Sequence, residues 1–277
     1  MERLDKTVAQ LADMPRKQAV HLIRAGRVTV DGEVWRSPDA KLVPAEHTLT
    51  VAGHAIDTQQ HRYYMLNKPQ GVLCVSRDPK VPTVVDLVPP AFRRRGLFPA
   101  GRLDKDTVGL VVLTDDGDYA HRLLSPKKAV FKRYLAVVAG EMPQTAADTF
   151  AAGAELEDGT RCLPAKLKIL SKSEFLRAAQ PSDDRSGDVF VDFTNFLEKY
   201  TIPETDVYGC VEIAIQEGRY HQIKRMCEVV GHKVLWLKRI SVGGLSLDPA
   251  LAEGECRELN AEERAAALQS VEEFCAS

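Results

Sequence analysis

Pro99-Ala100-Gly101-Arg102-Leu103-Asp104-Lys105-Asp106-Thr107-Val108-Gly109-Leu110 is the densest chemical stretch of the chain. Two glycines bound a short polar turn that enters the apolar run 109–113. A short apolar run behind a turn predicts a buried strand. Gly101 and Gly109 allow the backbone to bend or to come close to a ligand. A carboxylate set between cations suits a nucleophile or general base, because opposite charge favours the ionised form. On residue types alone, a turn in which Asp104 bonds its own backbone is the simpler reading.

Upstream, Tyr63-Tyr64-Met65-Leu66 predicts a strand. It leads into Asn67-Lys68-Pro69-Gln70-Gly71, a turn with both Pro and Gly, and residues 72–75 read as the next strand. Downstream, 134–138 and 211–215 add strands, while 118–124, 145–152, 221–230 and 261–274 carry helical patterns. Strands outnumber helices and do not alternate with them regularly. The class is therefore α+β rather than doubly wound α/β. Residues 171–208 stand apart as an insertion, and the acidic, polar segment 182–188 reads as a surface loop.

Two further segments concentrate charge. Glu217-Gly218-Arg219-Tyr220-His221-Gln222-Ile223-Lys224-Arg225-Met226 sets Arg219, His221, Lys224 and Arg225 at a predicted helix start. Cations there oppose the helix dipole unless an anion or carboxylate lies nearby, so the conflict hints at function. A solvated helix start is the plain alternative. Val130-Phe131-Lys132-Arg133-Tyr134-Leu135-Ala136-Val137 heads a strand with two cations and an aromatic ring. Such a ring can stack on a base while the cations meet phosphates, although a core tyrosine explains it as simply.

Residues 1–53 read as a separate small α/β domain, followed by a linker at 54–61 and a larger domain at 62–277. Leu4, Val8 and Leu11 recur at helical spacing. Asp13 is expected to cap a second helix, with Pro15 in its first turn and Gly26 at its end. Val28-Thr29-Val30 and Glu33-Val34-Trp35 flank Asp31-Gly32, a strong two-residue hairpin signal. Arg16, Lys17 and Arg24 share one arc of the second helix, and Arg27 follows it. A solvated helix face and a nucleic-acid surface both fit that grouping.

The 277 residues are 44% hydrophobic and 27% charged, an ordinary globular balance with a net charge of −2. That charge is unevenly spread. Residues 1–140 hold 22 Lys and Arg against 15 Asp and Glu, or +7, and the remainder holds 15 against 24, or −9. The first half thus suits an anionic partner. No apolar run reaches membrane-spanning length and the charged N-terminus lacks a secretory pattern, so a cytoplasmic protein without membrane association is expected. The six cysteines form no Cys-x-x-Cys pair and read as free, mostly buried thiols. Phosphate-loop and metal-site motifs are absent, and His47, His54 and His61 are scattered in or near the linker. No cofactor and no metal are expected.

Gly-Arg-Leu-Asp at 101–104, Lys-Arg-Tyr at 132–134 and Gly-Arg-Tyr-His-Gln-Ile-Lys-Arg-Met at 218–226, in this order, resemble the motifs of pseudouridine synthases of the RsuA type. Residues 64–71 are similar to the start of their catalytic domain. Arg3-Leu4-Asp5-Lys6, the basic helix and Val28-Thr29-Val30-Asp31-Gly32 resemble the S4 RNA-binding module those enzymes carry. The resemblance covers nearly the whole chain and departs from the family pattern at 171–208. It implies an S4-like domain ahead of a mixed, mainly antiparallel sheet.

The resemblance also implies a chemistry. Uracil is detached from its ribose, rotated and rejoined through carbon, with no external group donor. Asp104 corresponds to the essential carboxylate. Attack on the sugar, attack on the base and removal of a sugar proton all stay open for it. Lys224 corresponds to its basic partner and Tyr134 to the ring that stacks on the target base. Arg102 is expected to help displace the nucleotide, since chemistry on a base requires taking it out of the stack. Arg219 and His221 are weaker candidates for RNA contact, alongside Arg16, Lys17, Arg24 and Arg27. The expected partner is ribosomal RNA, with the protein acting as a monomer. Small-subunit RNA or its assembly intermediate is favoured because no basic C-terminal extension follows the last helix. A large-subunit target and a non-catalytic assembly factor are the rival readings.

Overall fold

A computed structural model describes residues 1–56, 58, 61–93, 96–125, 128–179, 193–203, 205 and 207–270. The chain divides into two units, Met1–Arg62 and Tyr63–Ser277.

The first unit begins with β1 (Glu2–Arg3), α1 (Leu4–Leu11) and α2 (Arg16–Arg24). It continues through β2 (Val28–Val30), β3 (Glu33–Val34), β4 (Lys41–Leu42), β5 (Leu49–Val51) and β6 (His54–Ile56). Leu4 and Val8 of α1 meet Ala19 and Ile23 of α2 in one core with Val28, Val30, Leu49 and Val51. Valine and leucine alternate inward on β2 and β5, while Thr29 and Thr50 face each other outside at 2.5 Å. Asp31 and Gly32 both take positive φ, the backbone of the tight hairpin their sequence predicts.

Two local expectations fail here. Asp13 does not cap α2: Pro15 occupies the cap position, and Asp13 turns the chain at φ 45°. His54–Ile56 is no linker but pairs with β5, so the sheet order is β3-β2-β5-β6.

The second unit contains β7 (Tyr63–Lys68), β8 (Phe98–Pro99), β9 (Val108–Thr114), α3 (Gly117–Leu124), β10 (Lys132–Ala139) and α4 (Thr145–Ala151). There follow β11 (Lys166–Leu170), α5 (Lys172–Ala179), α6 (Phe193–Lys199), β12 (Tyr208–Ile215) and α7 (Gln222–Val229). β13 (Val234–Val242), β14 (Leu245–Ser246), β15 (Cys256–Glu258) and α8 (Ala261–Ala267) complete it. Nine strands form one sheet in the order β11-β12-β10-β13-β9-β7-β15, with β14 on β13 and β8 on β9. Every pairing is antiparallel except β13 with β9. The chain is therefore α+β with a mixed, mainly antiparallel sheet.

Both faces of β9 are buried, which explains why its sequence does not alternate. Val111 and Leu113 enter one cluster with Tyr134, Ile213 and Ile223. Leu110 and Val112 enter another with Tyr119 and Leu259 on the opposite face. Gly109, at φ 99°, lets β13 approach: a Cβ there would stand 2.3 Å from the Arg239 carbonyl oxygen. The parallel pairing Arg239↔Gly109 depends on that missing side chain.

Residues 72–75 do not form a strand. Leu73 makes only an isolated bridge with Thr83, because the loop after Gly71 turns back on itself through Leu73 N to Pro82 O and Val84 N to Leu73 O, both at 2.9 Å. The predicted helix 261–274 ends at Ala267, and 271–274 lies outside the described residues. The described flanks of the 171–208 insertion are not a solvated loop. Phe175 of α5 and Phe196 of α6 are fully buried edge-on to Trp236, at ring separations of 5.8 and 4.9 Å. The acidic segment 182–188 lies outside the described residues. Cys74, Cys162, Cys210, Cys227 and Cys256 are free, all but the last buried; Cys275 lies outside the described residues.

Candidate active site

Asp104 sits in the turn between β8 and β9, whose anchorage begins with Lys68. This lysine ends β7, is fully buried and donates to the carbonyls of Pro69 (3.0 Å), Lys105 (3.2 Å) and Thr107 (2.8 Å). The turn is thus held from beneath by one ammonium. Burial pushes Lys68 down to about 8, against the pull of Cys74, Asp106 and Asp104. Gly71 N to Lys105 O (2.9 Å) and Thr107 N to Asp104 O (3.1 Å) close the loop.

Helix α7 brings the second half of the site. Lys224 Nζ lies 3.1 Å from Asp104 Oδ2 and 2.7 and 2.8 Å from the two oxygens of Asp106. Burial works against the charge on Lys224, but the hydrogen bonds to Asp106 and Asp104 outweigh it and raise its pKa. Burial likewise works to raise the Asp106 carboxyl, yet Lys224 holds it below its ordinary value. His221 Nε2 stands 3.6 Å from Asp104 Oδ1. His221 caps α7 in the left-handed conformation, and its ring stacks on the exposed Tyr220 at 3.8 Å.

The cations at this helix start are matched by acids. Arg219 is held by Glu217 at 2.8 Å and Arg225 by Asp158 at 2.6 Å, while Lys224 takes Asp104 and Asp106. The conflict with the helix dipole is met by four carboxylates from three places in the chain. Tyr134 is 7% exposed on β10 and shares the apolar cluster of Leu103 and Ile223, the neighbours of Asp104 and Lys224. Arg102 is exposed, with no ion-pair partner among the described residues.

The chain therefore brings Asp104, Lys224 and His221 into contact, with Tyr134 in the cluster beneath. Sequence reasoning missed Lys68 and Asp106. Lys68 belongs to the Pro- and Gly-containing turn 67–71, and nothing in its local sequence marks it as buried. Asp106, two residues beyond Asp104, was the available signal for a second carboxylate in the same turn. Among the described residues, no three His, Cys, Asp or Glu side chains gather as a metal-binding group.

In the first unit, Lys17, Arg24 and Arg27 are exposed. Arg16 is committed locally: with Arg3 it holds the buried carboxylate of Asp5, at 3.0 and 3.1 Å. Hydrogen bonds from Arg3 first, and from Arg16, hold Asp5 below its ordinary value despite burial.

Residues 62–229, which carry this whole arrangement, match the RNA pseudouridylate synthase family. The chain belongs to that family. Residues 2–46 match the S4 domain. Over 270 residues this synthase is 39% identical to the ribosomal small subunit pseudouridine synthase A of Escherichia coli (strain K12), covering 96% of this chain and all of the relative. It is also 39% identical to the uncharacterized RNA pseudouridine synthase YtzG of Bacillus subtilis (strain 168), over 94% of this chain and 96% of the relative. A crystal structure of a pseudouridylate synthase superposes with a TM-score of 0.58 at 33% identity, covering 96% of this chain and 100% of the other. The synthase is thus an isomerase with an S4 domain at its N-terminal end. Among the described residues, no helix is long and apolar enough to cross a membrane.

Proposed function

We propose that this synthase isomerises one uridine of small-subunit ribosomal RNA to pseudouridine, working as a monomer in the cytoplasm. Asp104 is the reacting carboxylate, and the observation that carries the reading is its pairing with Lys224 at 3.1 Å. The Lys224 ammonium fixes one carboxylate oxygen and leaves the group placed to act as nucleophile or base. Tyr134 stacks against the displaced uracil, and Arg102, free of other partners among the described residues, helps to draw the nucleotide out. His221 and Arg219 line the approach.

The first 53 residues grip the RNA through phosphates, with Lys17, Arg24 and Arg27 as the exposed cations. Arg16 adds charge there only in part, being tied to Asp5. The choice of the small subunit is supported by the named substrate class of the Escherichia coli relative, which aligns from end to end. Incubation with unmodified small- and large-subunit RNA, each free and partly assembled, followed by carbodiimide labelling and primer extension, tests it. One new stop in small-subunit RNA is expected; a stop confined to large-subunit RNA would reassign the target.

A further inference from the structure

The two faces of the synthase sheet are packed differently. The face bearing Tyr134 is covered by one continuous cluster. The reverse face carries two clusters, one around Leu110, Leu245 and Leu251, the other around Leu135, Phe175 and Trp236. A cavity of about 430 Å³ opens between them. Asp104, Tyr134 and Lys224 do not line it. Its volume lies in the range of small-molecule sites.

Its floor is charged. Arg133, Glu212 and Lys238 project from three adjacent strands, each buried. Arg133 and Glu212 pair at 2.7 Å. Lys238 donates to the Ala179 carbonyl at 2.9 Å, and burial pushes its ammonium down to about 8. Lys168 and Arg177 add two more cations, Arg177 exposed to solvent. The other acids of the lining already have donors. Asp248 accepts from Arg257 at 2.5 Å, and Glu174 accepts from Ser171 N and Oγ at 2.8 and 2.6 Å. Among the described residues, Lys168, Arg177 and Lys238 have no carboxylate within ion-pair distance, though Glu174 feels the first two at longer range.

Leu170, Ile240 and Leu247 supply apolar wall, which a bare inorganic ion would leave unused.

We propose that this reverse-face cavity binds a free organic phosphate of mononucleotide size, its phosphate on Lys168, Arg177 and Lys238 and its ring against Leu170, Ile240 and Leu247. The site is separate from the isomerisation site and needs no RNA. An anion there compensates the uncancelled cations, and burial of the ring completes the reverse-face core.

Calorimetric titration with adenosine 5′-monophosphate tests this, because the probe lacks uracil and does not mimic the target base. Wild type is expected to bind one equivalent, with inorganic phosphate weaker. Asp104→Asn should bind equally well, and the double variant Lys168→Glu, Arg177→Glu should bind about tenfold more weakly or worse. On the unaltered protein, the nucleotide should also shield Arg177 from phenylglyoxal, read by mass spectrometry. No saturable binding at millimolar nucleotide overturns the proposal. So does binding indifferent to the double variant, binding abolished by Asp104→Asn, or Arg177 left unshielded.

Discussion

Lys224 and Asp104 are far apart in sequence, on α7 and on the turn before β9, yet their charged atoms lie 3.1 Å apart. The same ammonium is shared with Asp106 at 2.7 Å. Lys224 thus pairs with two carboxylates in one turn. Replacing it by methionine takes the ammonium from both and leaves Asp104 only His221, at 3.6 Å. Lys224→Met should lower the single-turnover rate about 100-fold or more, with RNA affinity much less affected. Rapid-quench assays beside filter binding separate the two; a near-normal rate would move the pairing role to His221.

Asp106 tests the second Lys224 ion pair through pH. Its carboxyl is held below the ordinary value by Lys224, against the effect of burial. A carboxyl depressed in the folded state stabilises the fold above its unfolded pKa, and that stability is lost as pH falls through the folded value. Asp106→Asn should therefore melt below wild type at neutral pH, and the gap should close as acid passes through the carboxylate range. Scanning calorimetry across pH reads it; a gap independent of pH would show that the ion pair adds no stability.

Lys68 holds three loop carbonyls from beneath. Lys68→Met removes the donors and takes the ammonium from the buried Thr107 carbonyl, at a cost of about 1–3 kcal/mol. Urea denaturation should show that loss, and turnover should fall because the Asp104 turn loosens. Unchanged stability would mean that the loop is held by its backbone bonds alone.

Gly109 admits the Arg239 carbonyl where any side chain would collide. With φ at 99° as well, Gly109→Ala should destabilise by more than about 1 kcal/mol. A melting temperature equal to wild type would contradict the close approach of β13 to β9.

Local signals made much of this fold legible. The Asp31-Gly32 hairpin, the Val28–Val30 strand and helices at 118–124 and 145–152 depend on turn chemistry and hydrophobic period, and they stand within a residue or two of expectation. Asp104, Lys224 and His221 are legible through the family resemblance, because its motifs are short and ordered along the chain. The failures are of another kind. Residues 72–75 look like a strand by composition, but their backbone is taken by a local turn. Val234–Val242 reads weakly because it carries buried Lys238 and Arg239. Those side chains are satisfied by the carbonyls of Ala179 and Leu110, far away in sequence. Lys68 was hidden for the same reason. A buried cation whose partners are distant carbonyls leaves no local pattern to read.

The role of Asp104 can be put to one decisive comparison. Wild type and Asp104→Asn, matched for folding by circular dichroism and for RNA affinity by filter binding, would be incubated with unmodified small-subunit RNA particles, and pseudouridine mapped by carbodiimide-dependent primer extension. One new stop with wild type and none with the variant is the expected result. A stop of equal strength with Asp104→Asn would contradict the assignment of the reacting carboxylate.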